Sequence, residues 1–342
     1  CTPISLIEES LEKNNQQLAF EPIDFGYLKD SKSNKGTAAG QLSCNFSGSR
    51  RFKVGSLRDH ILGFRGVNGK GDIIKSGGTV VKNVTGYDLS KLVTGSFGTL
   101  TALTEITFKV LPKKDSISTL VIYSEDNKVI TDLFDLLLSS SNEISGAVYI
   151  PNEPKNENYT INRNKIFKFN DLKYEEPFVA VRFEGSKKSI DERIKNIYKE
   201  LQLKKMKTSI LDFYQSKLFW EKINNLELFS ETKNNLLRVV IPTSKSLDLM
   251  KYLKNNFKYY IDWCGSLFWI EVLEEENIQI KEMKETIINL GGYLTIVKKS
   301  ESLSSDIDLF TINDTRLLLS QKIKESFDPK KLLNPGKMYR DL

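Results

Sequence analysis

Apolar and polar residues alternate with a period of two along part of the N-terminal third of this chain. Ile106, Phe108 and Val110 are separated by polar side chains, which is the pattern of a half-buried β-strand, and the strand is expected to end at Pro112. Upstream, residues 64–78 place two apolar runs on either side of the glycines of NGKG, which predicts a β-hairpin. Together these patterns predict three strands.

The pattern changes beyond Lys114, where strand-like and helix-like segments alternate and glycines are few. Two rounds of strand and helix predict a compact α+β unit with a mainly antiparallel sheet. A capping box from Ser189 to Glu192 is expected to start one of the helices. We interpret the aromatic residues of DWCGSLFWIEV as core and not as a ligand wall, since aromatic side chains are usually buried in such strands. The predicted strands are residues 116–124, 145–151, 176–186, 235–242, 266–273 and 292–298, and the predicted helices are residues 127–140, 189–203, 246–256 and 280–290.

Composition and charge narrow the class of protein. The chain is 39% hydrophobic and 27% charged, as is usual for a globular protein. No apolar run approaches the roughly 18 residues of a membrane-spanning helix. The formal charge of +6 is spread along the predicted helices and forms no basic block. A dedicated nucleic-acid binder usually has a clustered basic patch, so we expect neither a nucleic-acid partner nor an integral membrane protein.

Cysteine and histidine are scarce. Cys1, Cys44 and Cys264 are far apart in sequence, so no pair has the spacing of a zinc site or an iron–sulfur cluster, and no metal site is predicted. His60 is the single histidine, which excludes a multi-histidine metal site and leaves one imidazole for a catalytic base. We interpret His60 as structural and not catalytic, and the sequence assigns no catalytic residue.

Small residues are concentrated before the half-buried strand. Residues 36–63 have almost no regular periodicity, and Gly95, Ser96, Gly98 and Thr99 follow within the sequence GSFGT. A plain turn needs one glycine, whereas several positions without a side chain let the backbone approach a flat or anionic ligand closely. Adjacent backbone N–H groups in such turns form concavities that bind anions. The combination predicts a cradle for an extended cofactor.

Three blocks carry a resemblance to a known family: GTAAGQLSCNFSGSRRFKVGSLRDHILG, KSGGTVVKNVTGYDLSKLVTGSFGTLTALTEITFKVLP and the closing FDPKKLLNPGKMY. They resemble the FAD-linked oxidase family of the vanillyl-alcohol oxidase type, and within it the FAD-binding subunits of glycolate oxidases. The resemblance spans essentially the whole chain. It implies an α+β fold, in which a PCMH-type FAD-binding domain is joined to a cap domain with an antiparallel sheet. The implied domains are residues 1–114 for the flavin domain, residues 115–305 for the cap and residues 306–342 for the return to the flavin domain.

The chain differs from the resembled family in two respects. It begins at Cys1 and not at methionine. The family has an N-terminal subdomain with its own glycine-rich pyrophosphate loop, and we expect that this subdomain precedes Cys1 and is missing here. In addition, related chains usually carry glycine at the positions of Ala39 and Thr101, so we expect a looser approach of the backbone to the flavin there.

The resemblance also implies which residues face the cofactor, FAD. They belong to the small-residue loop, to the segment that follows it, to the GSFGT turn with its strand, and to the returning tail. The implied FAD-binding residues are Gly36, Thr37, Ala38, Gly40, Ser47, Gly48, Asp59, Gly95, Ser96, Gly98, Thr99, Leu100, Thr104, Asn334, Pro335 and Gly336.

Oxidation of a 2-hydroxy acid sets chemical requirements for a site of this kind. It needs a base for the hydroxyl proton, a cation for the carboxylate and a flavin ring that accepts hydride. The cation candidates are Arg50, Arg51, Arg58 and Lys82. An equally open alternative is that these side chains pair with the flavin phosphate or with Asp59 and Asp88.

The resemblance implies an FAD-binding subunit of a complex that oxidises glycolate to glyoxylate. The implied partners are a companion FAD-containing catalytic subunit and an iron–sulfur subunit, to which electrons pass from the flavin. We expect a cytoplasmic protein whose association with the inner membrane is at most peripheral and made through partners. Two alternatives stay open: a non-catalytic assembly subunit with a degenerate flavin cradle, and a flavin dehydrogenase for another 2-hydroxy acid such as lactate.

Overall fold

The computed structural model of the chain describes residues 2–29, 33–80, 86–159, 163–169, 172–201, 206–230, 232–254, 256–304 and 307–339. Lys82, one of the predicted cations, lies outside the described residues. The chain forms two compact units. The first unit comprises Cys1–Gly26, Ser33–Lys113 and Asp308–Leu342, and the second unit comprises Tyr27–Lys32 and Lys114–Ile307.

Helices and strands alternate along the described chain. The helices are α1 (Ile4–Glu12), α2 (Gly26–Lys29), α3 (Ala38–Cys44), α4 (Arg51–Val54), α5 (Leu57–His60), α6 (Leu89–Val93), α7 (Asn127–Ser139), α8 (Arg163–Ile166), α9 (Lys187–Glu200), α10 (Phe213–Asn224), α11 (Ser246–Leu253), α12 (Asn277–Asn289) and α13 (Asp314–Phe327). The strands are β1 (Gln16–Gln17), β2 (Ile61–Asn68), β3 (Ile73–Gly77), β4 (Thr101–Phe108), β5 (Leu111–Pro112), β6 (Ser116–Tyr123), β7 (Gly146–Ile150), β8 (Phe178–Gly185), β9 (Thr208–Leu211), β10 (Asn235–Val240), β11 (Lys258–Asp262), β12 (Leu267–Val272) and β13 (Tyr293–Lys298).

The first unit contains a three-stranded antiparallel sheet in the order β3-β2-β4. Strands β2 and β3 form the predicted hairpin, with Val67 opposite Ile73. The prediction that a single strand runs on to Pro112 is wrong, because β4 ends at Phe108 and β5 pairs with β1 in a separate two-stranded sheet. Proline has no N–H to donate to a ladder, so it suits the edge of this small sheet.

Residues 36–63, which lack periodicity in the sequence, contain the three short helices α3, α4 and α5. The longest of them, α3, has 7 residues, so no apolar repeat can become visible over so few turns. Their apolar side chains join those of the neighbouring segments in one core. That core consists of Ile4, Leu18, Phe20, Ala38, Leu42, Leu57, Ile61, Phe64 and Val93.

The second unit is built on an eight-stranded sheet in the order β13-β10-β12-β11-β7-β8-β6-β9, whose neighbouring strands are antiparallel. The predicted antiparallel sheet is therefore confirmed. All residues of β7, β11 and β12 are buried, and since successive side chains point to opposite faces, both faces of these strands are covered. Trp263 and Trp269 are among the fully buried side chains, which confirms the aromatic residues of this segment as core.

One helix of the second unit starts earlier than its sequence indicates. The predicted capping box at Ser189 is wrong, because α9 begins at Lys187 after the N-cap residue Ser186. Strand β8 ends at Gly185, directly before this cap, so Ser189 already lies in the first turn of the helix. In the part of the chain that the structure describes, no helix has the length and apolar character needed to cross a membrane.

Candidate functional site

The GSFGT turn folds through three left-handed backbone positions. Gly95, Phe97 and Gly98 have φ angles of 84°, 53° and 70°. A left-handed conformation costs a residue with a side chain roughly 1–2 kcal/mol, so glycine is favoured at such positions. Two main-chain hydrogen bonds anchor the turn on α3, from Gly95 N–H to Leu42 O at 3.0 Å and from Phe97 N–H to Ser43 O at 2.8 Å. The glycine-rich turn and the small-residue segment are therefore in direct contact.

The two hydroxyl groups of this turn, on Ser96 and Thr99, differ in their hydrogen bonding. The Thr99 hydroxyl donates to the Ser96 carbonyl at 2.7 Å, which closes the turn internally. The Ser96 hydroxyl is buried and has no hydrogen-bond partner among the described residues. A buried hydroxyl without a partner is costly unless water or a ligand satisfies it. Ser96 therefore fits a position that contacts a polar group of a bound cofactor, while Leu100, which follows the turn, is buried.

The C-terminal tail meets the same turn. The side-chain amide of Asn334 donates to the Phe97 carbonyl at 2.8 Å. The same amide nitrogen also lies close to Gly98, because a Cβ added to Gly98 would be 2.8 Å from Asn334 Nδ2. Pro335 and Gly336 follow Asn334 on the surface. Of the predicted tail residues, Asn334 is therefore bonded directly to the turn.

The small-residue loop is held mainly by main-chain hydrogen bonds. Gly36 has a φ of 66°, and a Cβ placed there would meet nothing within 4 Å. Its carbonyl and the Ala38 N–H bond to residues 2–4, each at 3.0 Å. The Thr37 hydroxyl caps α3 by accepting the Gly40 N–H at 3.2 Å. Since the N–H groups of Ala38 and Gly40 are already bonded, the open space beside Gly36 is where a ligand can approach this loop.

Ser47 and Gly48 lie in a buried loop that follows α3. The Ser47 hydroxyl accepts the Leu57 N–H at 3.0 Å. The Gly48 N–H donates to the carbonyl groups of Phe20 and Glu21, both at 3.0 Å. These bonds connect the loop to two neighbouring segments, so both residues have a structural role, and their contact with FAD stays a prediction.

Asp59 caps the short helix α5. Its carboxylate accepts from the Ser56 N–H at 2.7 Å and from the Ser56 hydroxyl at 2.9 Å. Burial by itself raises the pKa of Asp59, but the Ser56 hydrogen bonds and the Arg51 charge outweigh it, and the pKa falls below its usual value. Asp59 therefore stays ionised at neutral pH and holds the local chain.

Two threonines of β4 are bonded across to β2. The Thr104 hydroxyl donates to the Arg65 carbonyl, and the buried Thr101 hydroxyl donates to the Val67 carbonyl, both at 3.0 Å. Thr101 lies opposite Asn68, and its side chain fits because Gly66 leaves space nearby: a Cβ added to Gly66 would lie 2.6 Å from the Thr101 hydroxyl oxygen. The threonine that replaces the family glycine is thus accommodated inside the sheet.

The predicted cations differ in their surroundings. Arg50 Nη1 lies 3.3 Å from Glu21 Oε1, and both side chains are largely buried. Arg58 Nε donates to the Lys91 carbonyl at 3.0 Å. Asp88 pairs with Lys91. Pairing with a nearby acid is thus what the structure shows for Arg50, and the acid is Glu21.

His60 is buried within the first unit. Its Nε2 lies 3.0 Å from the Val54 carbonyl, and its ring contacts Phe20 with centroids 6.0 Å apart. Burial lowers the pKa of the imidazole below its usual value, so the ring is neutral at pH 7. This environment agrees with the interpretation of His60 as structural.

Two residues that sequence reasoning missed lie against the turn. Lys324 donates to the Thr99 carbonyl at 2.8 Å and to Asp328 at 2.7 Å, and both charged side chains are buried. Their spacing of four residues on a helix is a visible signal for an ion pair. Burial is not visible in the sequence, because lysine and aspartate at this spacing usually mark an exposed helix face.

No metal centre accompanies this arrangement in the described residues, which contain no group of three or more His, Cys, Asp or Glu side chains that could hold an ion. Cys264 is buried and Cys44 is partly buried, and both are free thiols. Burial raises the pKa of the Cys44 thiol to about 11, so this thiol is protonated at neutral pH. The polar groups that the turn and the tail present are main-chain groups, hydroxyls and the Asn334 amide.

Comparison with known proteins places these features in context. No protein-family model matches the chain. Glycolate oxidase subunit GlcE of Escherichia coli is 28% identical over 344 residues, which cover 100% of this chain and 81% of that protein. Glycolate oxidase subunit GlcD of Bacillus subtilis is 25% identical over 94% of this chain and 72% of its own length. An FAD-linked oxidoreductase of Mycobacterium tuberculosis is 36% identical over 104 residues, which are 30% of this chain and 23% of that protein.

Solved structures agree on the fold. An alkyldihydroxyacetonephosphate synthase matches with a TM-score of 0.65 at 19% identity, over 96% of this chain and 61% of that protein. A 4-ethylphenol oxidase from Gulosibacter chungangensis matches with a TM-score of 0.65 at 13% identity, over 99% of this chain and 75% of that protein. The predicted α+β fold is confirmed, and FAD, the predicted cofactor, is the one named for the mycobacterial relative. The chain is similar over almost its whole length to the glycolate oxidase subunits GlcE and GlcD, as its motifs predicted.

Proposed function

We propose that this chain is the FAD-binding subunit of a complex that oxidises glycolate to glyoxylate. The observation that carries the proposal is the alignment with glycolate oxidase subunit GlcE, which covers 100% of this chain. In this proposal the first unit binds FAD and the second unit is the cap. A companion FAD-containing catalytic subunit and an iron–sulfur subunit complete the complex and carry electrons onward.

The residues proposed to hold FAD are those implied by the family resemblance. The buried, unpartnered Ser96 hydroxyl and the open space beside Gly36 support this assignment, because both leave room for polar groups of a ligand. The left-handed glycines of the GSFGT turn support it as well, since they let the main chain approach a planar ring without side chains in between. Asn334 adds to the cradle by fixing the Phe97 carbonyl from the tail.

FAD and the protein chain have different roles in the proposed reaction. FAD, when bound, supplies the acceptor for the hydride that leaves the α-carbon of the substrate. The chain's own contribution is to bind and orient the ring through the turn and the tail. We assign no base to this chain, because its single histidine is buried and bonded to a main-chain carbonyl. Base chemistry is therefore proposed to come from the companion subunit.

The visible absorption spectrum of the purified natural subunit tests this proposal. One flavin per chain, released as FAD on denaturation, is the expected result. Addition of glycolate to the reconstituted complex should bleach the flavin bands, whereas D-lactate should bleach them more slowly. Faster bleaching by D-lactate than by glycolate would mean that the substrate is another 2-hydroxy acid. A folded subunit without flavin would contradict the proposal.

A second candidate is a non-catalytic assembly subunit. The observation that favours it is the small-residue loop, where the N–H groups of Ala38 and Gly40 are already bonded within the protein. The two candidates differ in flavin content and not in partner binding. A colourless subunit that still assembles with its companion chains would make the assembly role the better one.

A further inference from the structure

Lys324 and Asp328 form an ion pair inside the first unit. Their side chains are 3% and 0% exposed, and Lys324 Nζ lies 2.7 Å from Asp328 Oδ2. Removing two charges from water is expensive, and an apolar pair of similar volume is often equally stable or more so. Stability alone therefore does not account for the pair, and its other contacts indicate what it holds.

The Lys324 ammonium group connects three segments of the chain. It donates to the Thr99 carbonyl at 2.8 Å, to Asp328 Oδ2 at 2.7 Å and to the Leu333 carbonyl at 2.8 Å. An ammonium group has three N–H donors, so all of them are used. The GSFGT turn, helix α13 and the C-terminal tail thus meet at one nitrogen atom.

The Asp328 carboxylate fixes the tail from the other side of the pair. Its Oδ1 accepts the Leu332 N–H at 3.0 Å, and its Oδ2 accepts the Leu333 N–H at 2.7 Å. The neighbouring Phe327 carbonyl accepts the Gly69 N–H at 3.0 Å. A Cβ added to Gly69 would lie 2.0 Å from Asp328 Oδ1, so the hairpin leaves space for this carboxylate. Hydrogen bonds therefore join the pair to the turn and the tail, and the hairpin packs against Asp328.

This arrangement determines the direction of two N–H groups in the turn. The Phe97 carbonyl accepts a hydrogen bond from the tail, and the Thr99 carbonyl accepts one from Lys324. In a planar trans peptide the N–H points opposite to the preceding carbonyl. The Gly98 N–H therefore points away from Asn334 in the tail, and the Leu100 N–H points away from Lys324 in α13. Within the described chain, neither of them donates to a protein acceptor.

We propose that the Lys324–Asp328 pair positions the turn for the flavin. Lys324 fixes the Thr99 carbonyl and so directs the Leu100 N–H toward acceptor atoms at the edge of the ring. Asp328 holds the main chain of Leu333. The next residue, Asn334, donates to the Phe97 carbonyl, so Asp328 acts on the turn through the tail. Both are positioning residues, because they act on the turn and not on the substrate. The inference rests on the proposed function, since it assumes that the turn contacts FAD.

The test uses Lys324→Met in the natural full-length subunit, with two readouts. Hydrogen exchange, followed by mass spectrometry, should become faster in peptides that cover residues 95–101 and 330–339. The dissociation constant for FAD, measured by titration of the flavin-free subunit, should rise about tenfold or more, because two hydrogen bonds to the turn and the tail are lost. Leu18→Ala, in the core of the same unit, is the matched control, which should lower the melting temperature and leave both readouts at wild-type values.

A second variant keeps the test decisive if Lys324→Met fails to fold. The double variant Lys324→Met/Asp328→Leu leaves no lone buried charge and is therefore expected to melt at a higher temperature than Lys324→Met. It should still exchange faster in the turn and bind FAD more weakly, with shifted flavin absorption bands. Wild-type exchange, affinity and spectrum in this variant would overturn the inference while the proposed function stands. A wild-type subunit that neither carries nor binds FAD would instead overturn the proposed function, and with it the flavin role of the pair.

Discussion

The side-chain amide of Asn334 donates a hydrogen bond to the main-chain carbonyl of Phe97, 237 positions earlier in the chain, at a distance of 2.8 Å. Both residues have a left-handed backbone, with φ angles of 44° and 53°. Asparagine tolerates this conformation better than most residues, whereas phenylalanine does so at a cost. The bond therefore helps to hold Phe97 in a conformation that its side chain disfavours.

Substitution of Asn334 tests the strength of this bond. Asn334→Gly keeps the backbone freedom and removes the donor, and it should lower the free energy of unfolding by about 1 kcal/mol, the usual net contribution of one hydrogen bond. Asn334→Asp should lower it further, because a carboxylate then faces the Phe97 carbonyl. Urea denaturation at pH 7 measures both values. An Asp variant as stable as the wild type would show that the bond contributes nothing.

Gly98 and Gly71 form a matched pair of positions for testing the cradle. Both have a positive φ, of 70° and 89°, but a Cβ at Gly98 would lie 2.8 Å from Asn334 Nδ2, whereas a Cβ at Gly71 meets nothing within 4 Å. Each change to alanine should cost roughly 1–2 kcal/mol of stability through backbone strain. Only Gly98→Ala should lose flavin, measured as the flavin-to-protein ratio after gel filtration. Equal flavin content in the two variants would contradict a role of this turn in binding.

Arg50 is predicted to stabilise the fold. Arg50→Met removes the guanidinium from Glu21, whose side chain is 13% exposed, and should lower the free energy of unfolding by about 3 kcal/mol. Lys13→Met is the control, because the Lys13–Glu9 pair is exposed and exposed pairs contribute roughly 0–1 kcal/mol. Chemical denaturation of both variants gives the comparison. Losses of the same size would mean that burial adds nothing to the Arg50–Glu21 pair.

His60 should make stability depend on pH. Its pKa in the folded protein lies below the ordinary value of 6.5, so the unfolded chain binds the proton more tightly. The free energy of unfolding should therefore be highest above pH 6.5 and fall as the pH is lowered through that value toward the folded pKa. His60→Gln keeps a donor for the Val54 carbonyl and does not titrate, so its stability should lack this part of the pH dependence. The free energy of unfolding is measured by denaturation at several values between pH 5 and pH 8. If it changes with pH equally in both proteins, His60 is ruled out as the cause.

Several features of this protein are readable from local sequence. The strand-like segments of the second half predict six of the eight strands of the antiparallel sheet, and β9 and β11 are the two that the prediction missed. The NGKG segment predicts the β2–β3 hairpin, and the motif blocks predict the relationship to FAD-linked oxidases. Local patterns fail where elements are very short, as in α3, or where the exact first residue of a helix is needed, as at Ser186.

The contacts that assemble the candidate site were decided by the tertiary structure. Lys324 meets Thr99 across 225 positions of sequence, and neither residue carries a local signal for the other. Arg50 pairs with Glu21, 29 positions earlier, since the folded chain brings Glu21 next to the loop. The assignment of FAD-binding residues remains a prediction from motifs. The sequence alone indicated most strands of the second unit and the glycines where the backbone can turn left-handed, because these are properties of neighbouring residues. Which buried charge faces which carbonyl depends on how distant segments pack, and that is settled only when the whole core forms.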